Sequence, residues 1–86
     1  MFYVYIIRSV ETEILYKGFT TQPQQRLLEH NQGKSHYTKN KGPWEMAYLE
    51  EFITKREALI REKQIKRYNR SQLVSLILDK KNILYK

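Results

Sequence analysis

The sequence of 86 residues predicts an α+β domain in which helices flank a small three-stranded sheet, in the order β-β-α-β-α-α. Two aromatic and β-branched segments near the start indicate a hairpin, and a third such segment follows later. Helix-capping patterns precede the three helical segments. At this length we expect a single domain over residues 1–86, with one core and no enclosed cofactor pocket.

The predicted strands are Phe2–Ile7, Ile14–Phe19 and Trp44–Phe52. With a period of two, the odd-numbered residues of the first strand lie on one face of the sheet and the even-numbered residues on the other. Both faces of this strand are apolar, so we expect it to be the central strand.

The first helix is predicted to begin with a Thr21 cap and to end at Gly33. Thr54 opens the second helix, which runs to about Tyr68. Thr21 and Thr54 are each followed three residues later by Gln or Glu, the pattern of a capping box. Ser71 is predicted to cap a last helix that is apolar almost all round.

The formal net charge of +7 is unevenly distributed along the chain. Residues 1–54 carry six basic and six acidic side chains, whereas residues 55–70 carry seven basic and two acidic ones. A clustered basic face indicates a phosphate backbone or an anionic lipid as partner, and a solvated helix face is the alternative. The loop over residues 34–44 adds three Lys and is long enough to indicate a function.

Two features narrow the class of protein. The chain has no cysteine, which excludes a disulfide framework, a zinc-thiolate site and a cysteine nucleophile. The first apolar stretch is six residues long, far short of a signal-peptide core or a membrane span. We therefore expect a cytoplasmic protein with no membrane role.

Glu62 is placed on the apolar stripe of the second helix, together with Ala58 and Ile65. Burial of an unpaired carboxylate is costly, so such a residue normally has a cationic partner, a hydrogen-bonded network or a metal ion. The residues leave two interpretations open, an ion pair with Lys66 or Arg61 and a metal site.

Arg26 and His30 share one face of the first helix. The fork of an arginine suits phosphate oxygens, and a histidine can pass a proton near neutral pH. A surface arginine and a solvated histidine would explain the same two residues.

Three tyrosines lie in the hairpin strands: Tyr3, Tyr5 and Tyr16. Each either packs the sheet or acts on a water molecule. The second role needs a nearby cation that lowers the pKa of the tyrosine.

Taken in order, these residues resemble the GIY-YIG nuclease domain, which occurs in excision-repair nucleases, junction-resolving nuclease subunits and homing endonucleases of group I introns. Tyr3-Val4-Tyr5 is similar to its first motif and Tyr16-Lys17-Gly18 to its second. Arg26 and His30 match its Arg-x-x-x-His/Tyr helix, and Glu62 matches its metal-binding glutamate. The small stand-alone, excinuclease-related (UPF0213-like) branch is most similar, and the resemblance covers nearly the whole chain.

The resemblance implies hydrolysis of a phosphodiester bond with one metal ion. Glu62 would be the only protein ligand to Mg²⁺ or Mn²⁺. Arg26 would stabilise the pentacoordinate phosphate. Tyr5 or Tyr16 would orient or deprotonate the attacking water, and His30 would assist proton transfer or bind the adjacent phosphate.

Nucleic acid is the implied partner, and Gly18 would let a phosphate approach the backbone closely. Larger family members use an asparagine about a dozen residues after the glutamate; Val74 stands there, which leaves Asn69 as the candidate. The residues expected to bind nucleic acid are Tyr3, Lys17, Gly18, Lys34, Tyr37, Lys39, Lys41, Arg61, Lys66 and Asn69.

The leading hypothesis is a small metal-dependent nuclease acting on branched, damaged or single-stranded DNA, in repair or recombination. One alternative is a non-catalytic nucleic-acid-binding module that stacks bases on Tyr37, Trp44 and Tyr68. Another is a partner-dependent nuclease subunit that docks through its apolar last helix, with the partner supplying specificity. The chain itself is expected to be a monomer or a weak oligomer.

Overall fold

Three strands and three α-helices follow one another in the predicted order in the computed structural model, which describes residues 1–85. The strands are β1 (Phe2–Ser9), β2 (Leu15–Thr20) and β3 (Trp44–Phe52), and the helices are α1 (Pro23–Asn31), α2 (Lys55–Ile65) and α3 (Arg70–Ile77). A short 3-10 helix at Ile83–Tyr85, which the sequence pattern did not indicate, follows α3.

The sheet has the strand order β2-β1-β3, and β1 is antiparallel to both neighbours. The prediction that the first strand is central is therefore confirmed. In this register Tyr5 of β1 lies opposite Gly18 of β2 and Leu49 of β3. A tyrosine at the centre of the sheet thus has a residue without a side chain directly beside it.

The two faces of β1 belong to two apolar clusters, as the period of two predicts. Val4 and Ile6 pack with buried residues of β3, α2 and α3 in the larger cluster. Tyr5 and Ile7 pack with Trp44 in the smaller cluster, to which Leu27 of α1 adds. Helices α2 and α3 therefore cover one face of the sheet, and α1 lies against the other.

For α1, the predicted N-cap Thr21 is wrong, and the predicted end at Gly33 is right. Helix α1 begins at Pro23, and its N-cap Gln22 makes no side-chain hydrogen bond. The nearby threonine that acts on the backbone is Thr20, whose hydroxyl accepts from the Gln22 amide at 3.0 Å. At the other end Gly33 adopts a φ of 76°, and its amide donates to the His30 carbonyl. This is the usual glycine stop of a helix.

The predictions for α2 and α3 are also partly right and partly wrong. Thr54 is the N-cap of α2 and accepts from the Glu57 amide, as predicted, but α2 ends at Ile65, earlier than expected. Helix α3 is capped by Asn69, and the prediction of Ser71 is wrong. Asn69 and Gln72 form a reciprocal capping box, with both hydrogen bonds at 2.9 Å. Two orphan amides are satisfied at once, which Ser71 could not do.

Helix α3 is less apolar at its surface than its sequence suggested, because Leu73, Leu76 and Ile77 are buried in the larger cluster. Val74 and Leu78 are its exposed apolar residues. Most of the apolar residues of α3 therefore lie in the core of the chain. Among the described residues, no helix combines the length and the apolar character that crossing a membrane requires.

Candidate active site

The centre of the candidate site is a hydrogen bond between two buried side chains. The Tyr5 hydroxyl of β1 lies 2.8 Å from Nε2 of His30, which α1 carries. Both residues are almost completely buried. The ring of Tyr16 meets the His30 ring edge-on, with 5.3 Å between centroids. Three residues predicted from separate motifs therefore contact one another.

Gly18 makes room for this arrangement. A Cβ atom at Gly18 would lie 2.4 Å from the Tyr5 hydroxyl oxygen and 2.5 Å from the ring carbon that bears it. These distances are far inside van der Waals contact, so any side chain would displace the Tyr5 ring. The resemblance implied a close approach of phosphate to the backbone at Gly18; in the structure the Tyr5 side chain occupies the space where a Cβ at Gly18 would lie.

His30 has a second hydrogen bond on its other ring nitrogen. Nδ1 lies 2.7 Å from the hydroxyl of Thr38, which is itself buried. The Thr38 hydroxyl also lies 3.5 Å from the Ser35 carbonyl oxygen. Sequence reasoning missed Thr38, because it lies in an irregular loop where no periodicity links it to His30.

The loop that carries Thr38 is fixed to the rest of the fold. The Trp44 indole donates to the Thr38 carbonyl at 3.1 Å. Asn31, at the end of α1, donates to the Trp44 carbonyl at 3.0 Å and accepts from the Trp44 amide at 2.6 Å. Helix, loop and strand β3 are therefore joined next to His30, which fixes the imidazole from both sides.

Arg26 supplies the positive charge of the site. Its guanidinium forms an ion pair with Glu29 at 3.1 Å, and about a third of its side chain is exposed. Burial lowers the pKa of Arg26, but its interactions with Tyr5 and Glu29 raise that pKa by more. Arg26 is therefore charged, acts on Tyr5 and is partly accessible from solvent.

The pKa values of Tyr5 and His30 are both moved toward the neutral form. Burial raises the pKa of Tyr5 above 10, although Arg26 acts in the opposite direction. Burial and then the charge of Arg26 lower the pKa of His30 from 6.5 to about 4. At pH 7 the site holds a protonated tyrosine and a neutral imidazole. Arg26 is a nearby cation that lowers the pKa of Tyr5, but burial raises that pKa by more.

The negative charge of Glu62, on α2, acts on Tyr5 and is the smallest of the influences that raise its pKa. Its carboxylate lies 3.6 Å from the ammonium of Lys66, longer than a hydrogen bond, and the Lys66 side chain is largely exposed. Of the two partners considered above, Arg61 instead bonds Glu50 at 3.0 Å. The Glu62 carboxylate is therefore loosely paired and still partly accessible.

Glu62 is the side chain of this group with the oxygen chemistry that Mg²⁺ and Mn²⁺ prefer. Within residues 1–85, no three His, Asp or Glu side chains are grouped closely enough to hold a metal ion. Mg²⁺ commonly binds proteins through one or two carboxylates and keeps several water ligands. A single glutamate whose side chain is 18% exposed fits that chemistry.

The residues predicted to bind nucleic acid fall into different places. An exposed set lies on the loop after α1 and comprises Lys34, Tyr37, Lys39 and Lys41. Tyr3 donates to Glu51 at 3.0 Å near the surface. Lys17 lies half-buried on β2 beside Gly18, and Lys66 lies exposed beside Glu62.

Two others are used within the fold. Arg61 contacts Glu50, Gln64 and Tyr68, and Asn69 caps α3. The proposed stacking surface is also divided: Trp44 is buried and Tyr68 packs against the larger cluster, whereas Tyr37 is exposed. Of the three aromatic residues, Tyr37 alone is freely available to a base.

Comparison with known proteins identifies relatives over most of the chain. Residues 1–75 match the family described as the GIY-YIG catalytic domain. A UPF0213 protein of Staphylococcus haemolyticus is 41% identical over 76 residues, which cover 87% of this chain and 92% of the relative. A UPF0213 protein of Clostridium perfringens is 42% identical over 81 residues, which cover 93% of this chain and 86% of the relative.

A similar fold is found in the solution NMR structure of the UPF0213 protein BH0048 from Bacillus halodurans. It superimposes with a TM-score of 0.61 at 31% sequence identity. The alignment covers 94% of this chain and 87% of that chain.

Proposed function

The chain belongs to the GIY-YIG catalytic domain family, a family of nuclease domains, and from this premise we propose that it is a divalent-metal-dependent nuclease that hydrolyses phosphodiester bonds in DNA. One observation carries the proposal: the side chains of Tyr5, Tyr16 and His30, from β1, β2 and α1, lie against one another. The charges of Arg26 and Glu62 act on Tyr5.

In the proposed reaction the Tyr5 hydroxyl orients the attacking water and receives its proton. Tyr5 is protonated at neutral pH, so it must pass its own proton on as the water attacks. The neutral His30 imidazole at 2.8 Å is the group placed to receive it. Tyr16, edge-on to His30, limits the movement of the imidazole and borders the water. General acid–base catalysis of this kind contributes about 10²- to 10⁴-fold to a rate.

Arg26 is proposed to bind the non-bridging oxygens of the scissile phosphate. Its planar fork of donors matches two oxygens, and its partial exposure lets a phosphate displace Glu29 from it. Glu62 would hold a Mg²⁺ or Mn²⁺ ion, which supplies charge neutralisation at the leaving oxygen when bound. The Lys66 side chain is 56% exposed, so solvation can replace its contact with Glu62.

The exposed loop after α1 is proposed to guide the DNA backbone to this site. Lys34, Lys39 and Lys41 supply charge, and Tyr37 offers a ring for stacking. Such contacts recognise phosphate and shape more than base sequence. The substrate proposed is therefore branched, damaged or single-stranded DNA, in repair or recombination, with further specificity from a protein partner.

A cleavage assay with two matched variants tests the proposal. Labelled duplex, flap and single-stranded DNA are incubated with the protein in Mg²⁺ or Mn²⁺. Glu62→Gln removes the proposed ligand and is expected to slow cleavage by about 10²- to 10³-fold with an unchanged melting temperature. Glu50→Gln removes a carboxylate bonded to Arg61 and is expected to lower the melting temperature while cleavage stays within a few-fold of wild type.

Two results would contradict the hydrolytic proposal. One is cleavage by Glu62→Gln at the wild-type rate, and the other is failure of the wild-type protein to cut any of the three DNA forms. Salt-dependent binding that needs no divalent ion and persists in Glu62→Gln, without cleavage, would instead indicate a non-catalytic binding module.

A further inference from the structure

Thr38 is a buried hydroxyl bonded to the one ring nitrogen of His30 that the proposed reaction does not use. We propose that Thr38 is a positioning residue that holds the proton of neutral His30 on Nδ1, so that Nε2 is free to accept the proton of Tyr5. The inference rests on the proposed function for its catalytic meaning, but the tautomer itself is a property of the folded protein.

The His30 imidazole has a hydroxyl partner at each ring nitrogen, Tyr5 at Nε2 and Thr38 at Nδ1. A neutral imidazole has one N–H donor and one acceptor nitrogen, and both of its partners here are hydroxyl groups, which can donate or accept. The His30–Tyr5 and His30–Thr38 distances of 2.8 and 2.7 Å suit either direction. The tautomer is therefore decided by what else each hydroxyl can bond.

At one end, the Thr38 hydroxyl has the Ser35 carbonyl as a further neighbour, at 3.5 Å. A carbonyl oxygen can only accept, so the hydroxyl proton points toward Ser35. The Thr38 oxygen is then left with lone pairs facing His30 and accepts a hydrogen bond from Nδ1–H. This long contact sets a direction, because the alternative leaves the Thr38 oxygen without a donor in a buried position.

At the other end, the positive charge of Arg26 acts on the Tyr5 hydroxyl. A nearby positive charge attracts the lone pairs of the Tyr5 oxygen, so the hydroxyl proton turns away from Arg26. Nε2 of His30 is the acceptor within 2.8 Å. Both ends of the chain of hydrogen bonds therefore favour the same tautomer.

The catalytic consequence is a proton transfer in which every bond is accounted for. The water oxygen forms a bond to phosphorus as one of its O–H bonds breaks, and that proton forms a new O–H bond on Tyr5. The bond from phosphorus to the leaving oxygen breaks, and the leaving oxygen keeps the electron pair and takes a proton from solvent. The original Tyr5 proton moves to Nε2, which gives an imidazolium whose Nδ1–H remains bonded to Thr38. In the opposite tautomer Nε2 already carries a proton, and no lone pair faces Tyr5. A group that orients a catalytic histidine in this way can be worth several orders of magnitude in rate.

The tautomer can be observed directly, without a cleavage assay, in ¹⁵N-labelled protein at neutral pH. Long-range ¹H–¹⁵N correlations distinguish a protonated ring nitrogen from an unprotonated one. In the wild-type protein and in Thr38→Ser we expect a protonated Nδ1 and an unprotonated Nε2. In Thr38→Val, which keeps the shape and removes the hydroxyl, we expect the proton to move to Nε2. An unprotonated Nδ1 in the wild-type protein would overturn the assignment, as would an unchanged tautomer in Thr38→Val.

Cleavage by the same variants tests the consequence. Thr38→Val is expected to lower kcat by about 10²-fold with little change in KM, and Thr38→Ser is expected to restore most of the rate. Ser9→Ala is the matched control, since the buried Ser9 hydroxyl bonds the Lys41 carbonyl of the same loop at 2.7 Å without contacting His30. An equal loss of kcat in Ser9→Ala would assign the effect to a loosened loop. A wild-type protein that cuts no DNA would overturn the proposed function, and the tautomer would still be decided by the spectra.

Discussion

Two groups of side chains each combine a tyrosine, an arginine and a glutamate, and they differ in how far the arginine is exposed. The closed group, Tyr48, Glu50 and Arg61, lies on the face covered by α2 and α3. Arg61 and the Tyr48 hydroxyl both bond the Glu50 carboxylate, and the Arg61 and Glu50 side chains are only 13% and 18% exposed. Burial lowers the pKa of Arg61, but its bonds to Glu50 and Tyr48 raise it by more. This group is a charge-matched part of the core.

The open group, Tyr5, Arg26 and Glu62, has the same residue types in a different arrangement. Tyr5 bonds His30, and one third of the Arg26 side chain is exposed. The Glu62 carboxylate lies 3.6 Å from the ammonium of Lys66. Helix α2 supplies Arg61 to the closed group and the next residue, Glu62, to the open one. Residue type therefore does not distinguish the two groups; the exposure of the arginine and the pairing of the glutamate do.

Exchange of each arginine for lysine is the strongest way to break this comparison. Arg26→Lys keeps the charge but removes the fork, and we expect cleavage to fall by about 10²-fold while stability changes little. Arg61→Lys loses bonds to Glu50 and Tyr68, and we expect it to cost about 1–3 kcal/mol of stability with cleavage nearly unchanged. Denaturant unfolding and cleavage rates measure both. Equal effects of the two variants on cleavage would end the distinction between the groups.

Substitution of the glycine beneath Tyr5 is expected to have the next largest effect. In Gly18→Ala the new methyl group would overlap the Tyr5 hydroxyl, so we expect the bond to His30 to break and cleavage to fall by roughly 10- to 100-fold. Gly33→Ala is the control, because a Cβ there would make only an ordinary van der Waals contact with Lys39, at 3.8 Å, and only the φ of 76° is strained. That variant should lose about 1 kcal/mol of stability and keep its activity. Full activity in Gly18→Ala would show that Tyr5 need not hold its observed position.

The pH dependence of stability is expected to report on His30, which bonds Tyr5 of the open group. Its pKa is 6.5 in an unfolded chain and about 4 in the folded one, so the unfolded state binds the proton first as pH falls. We expect wild-type stability to drop by about 2 kcal/mol more than that of His30→Gln between pH 7 and pH 5. Urea unfolding at several pH values gives the difference. Parallel curves for the two proteins would show that His30 titrates normally.

The smallest effect is expected from the exposed loop beside the open group. Lys39→Ala and Lys41→Ala should each weaken DNA binding a few-fold and reduce the slope of log affinity against log salt by about one. Lys80→Ala, after α3, removes the same charge at a distance in the chain and should leave the slope unchanged. Fluorescence anisotropy over a salt series measures these slopes. Equal slopes for all three variants would remove the loop from the binding surface.

The sequence alone was sufficient for the order of the elements and for the central place of β1. Apolar periodicity is a local property, so a strand or a helix can be recognised from a short segment of the sequence. The α3 cap was mispredicted because Asn69 and Ser71 are both good capping residues, and the choice depends on where α2 ends. The order of motifs also singled out the tyrosines, Arg26, His30 and Glu62.

Tertiary structure decided what those residues contact. Nothing in the sequence pairs His30 with Thr38, gives the space above Gly18 to Tyr5, or separates the roles of Arg61 and Glu62. These outcomes depend on sheet register and on the angle at which helices cross the sheet. Both are set by the packing of residues far apart in the chain, to which each local segment contributes only a part.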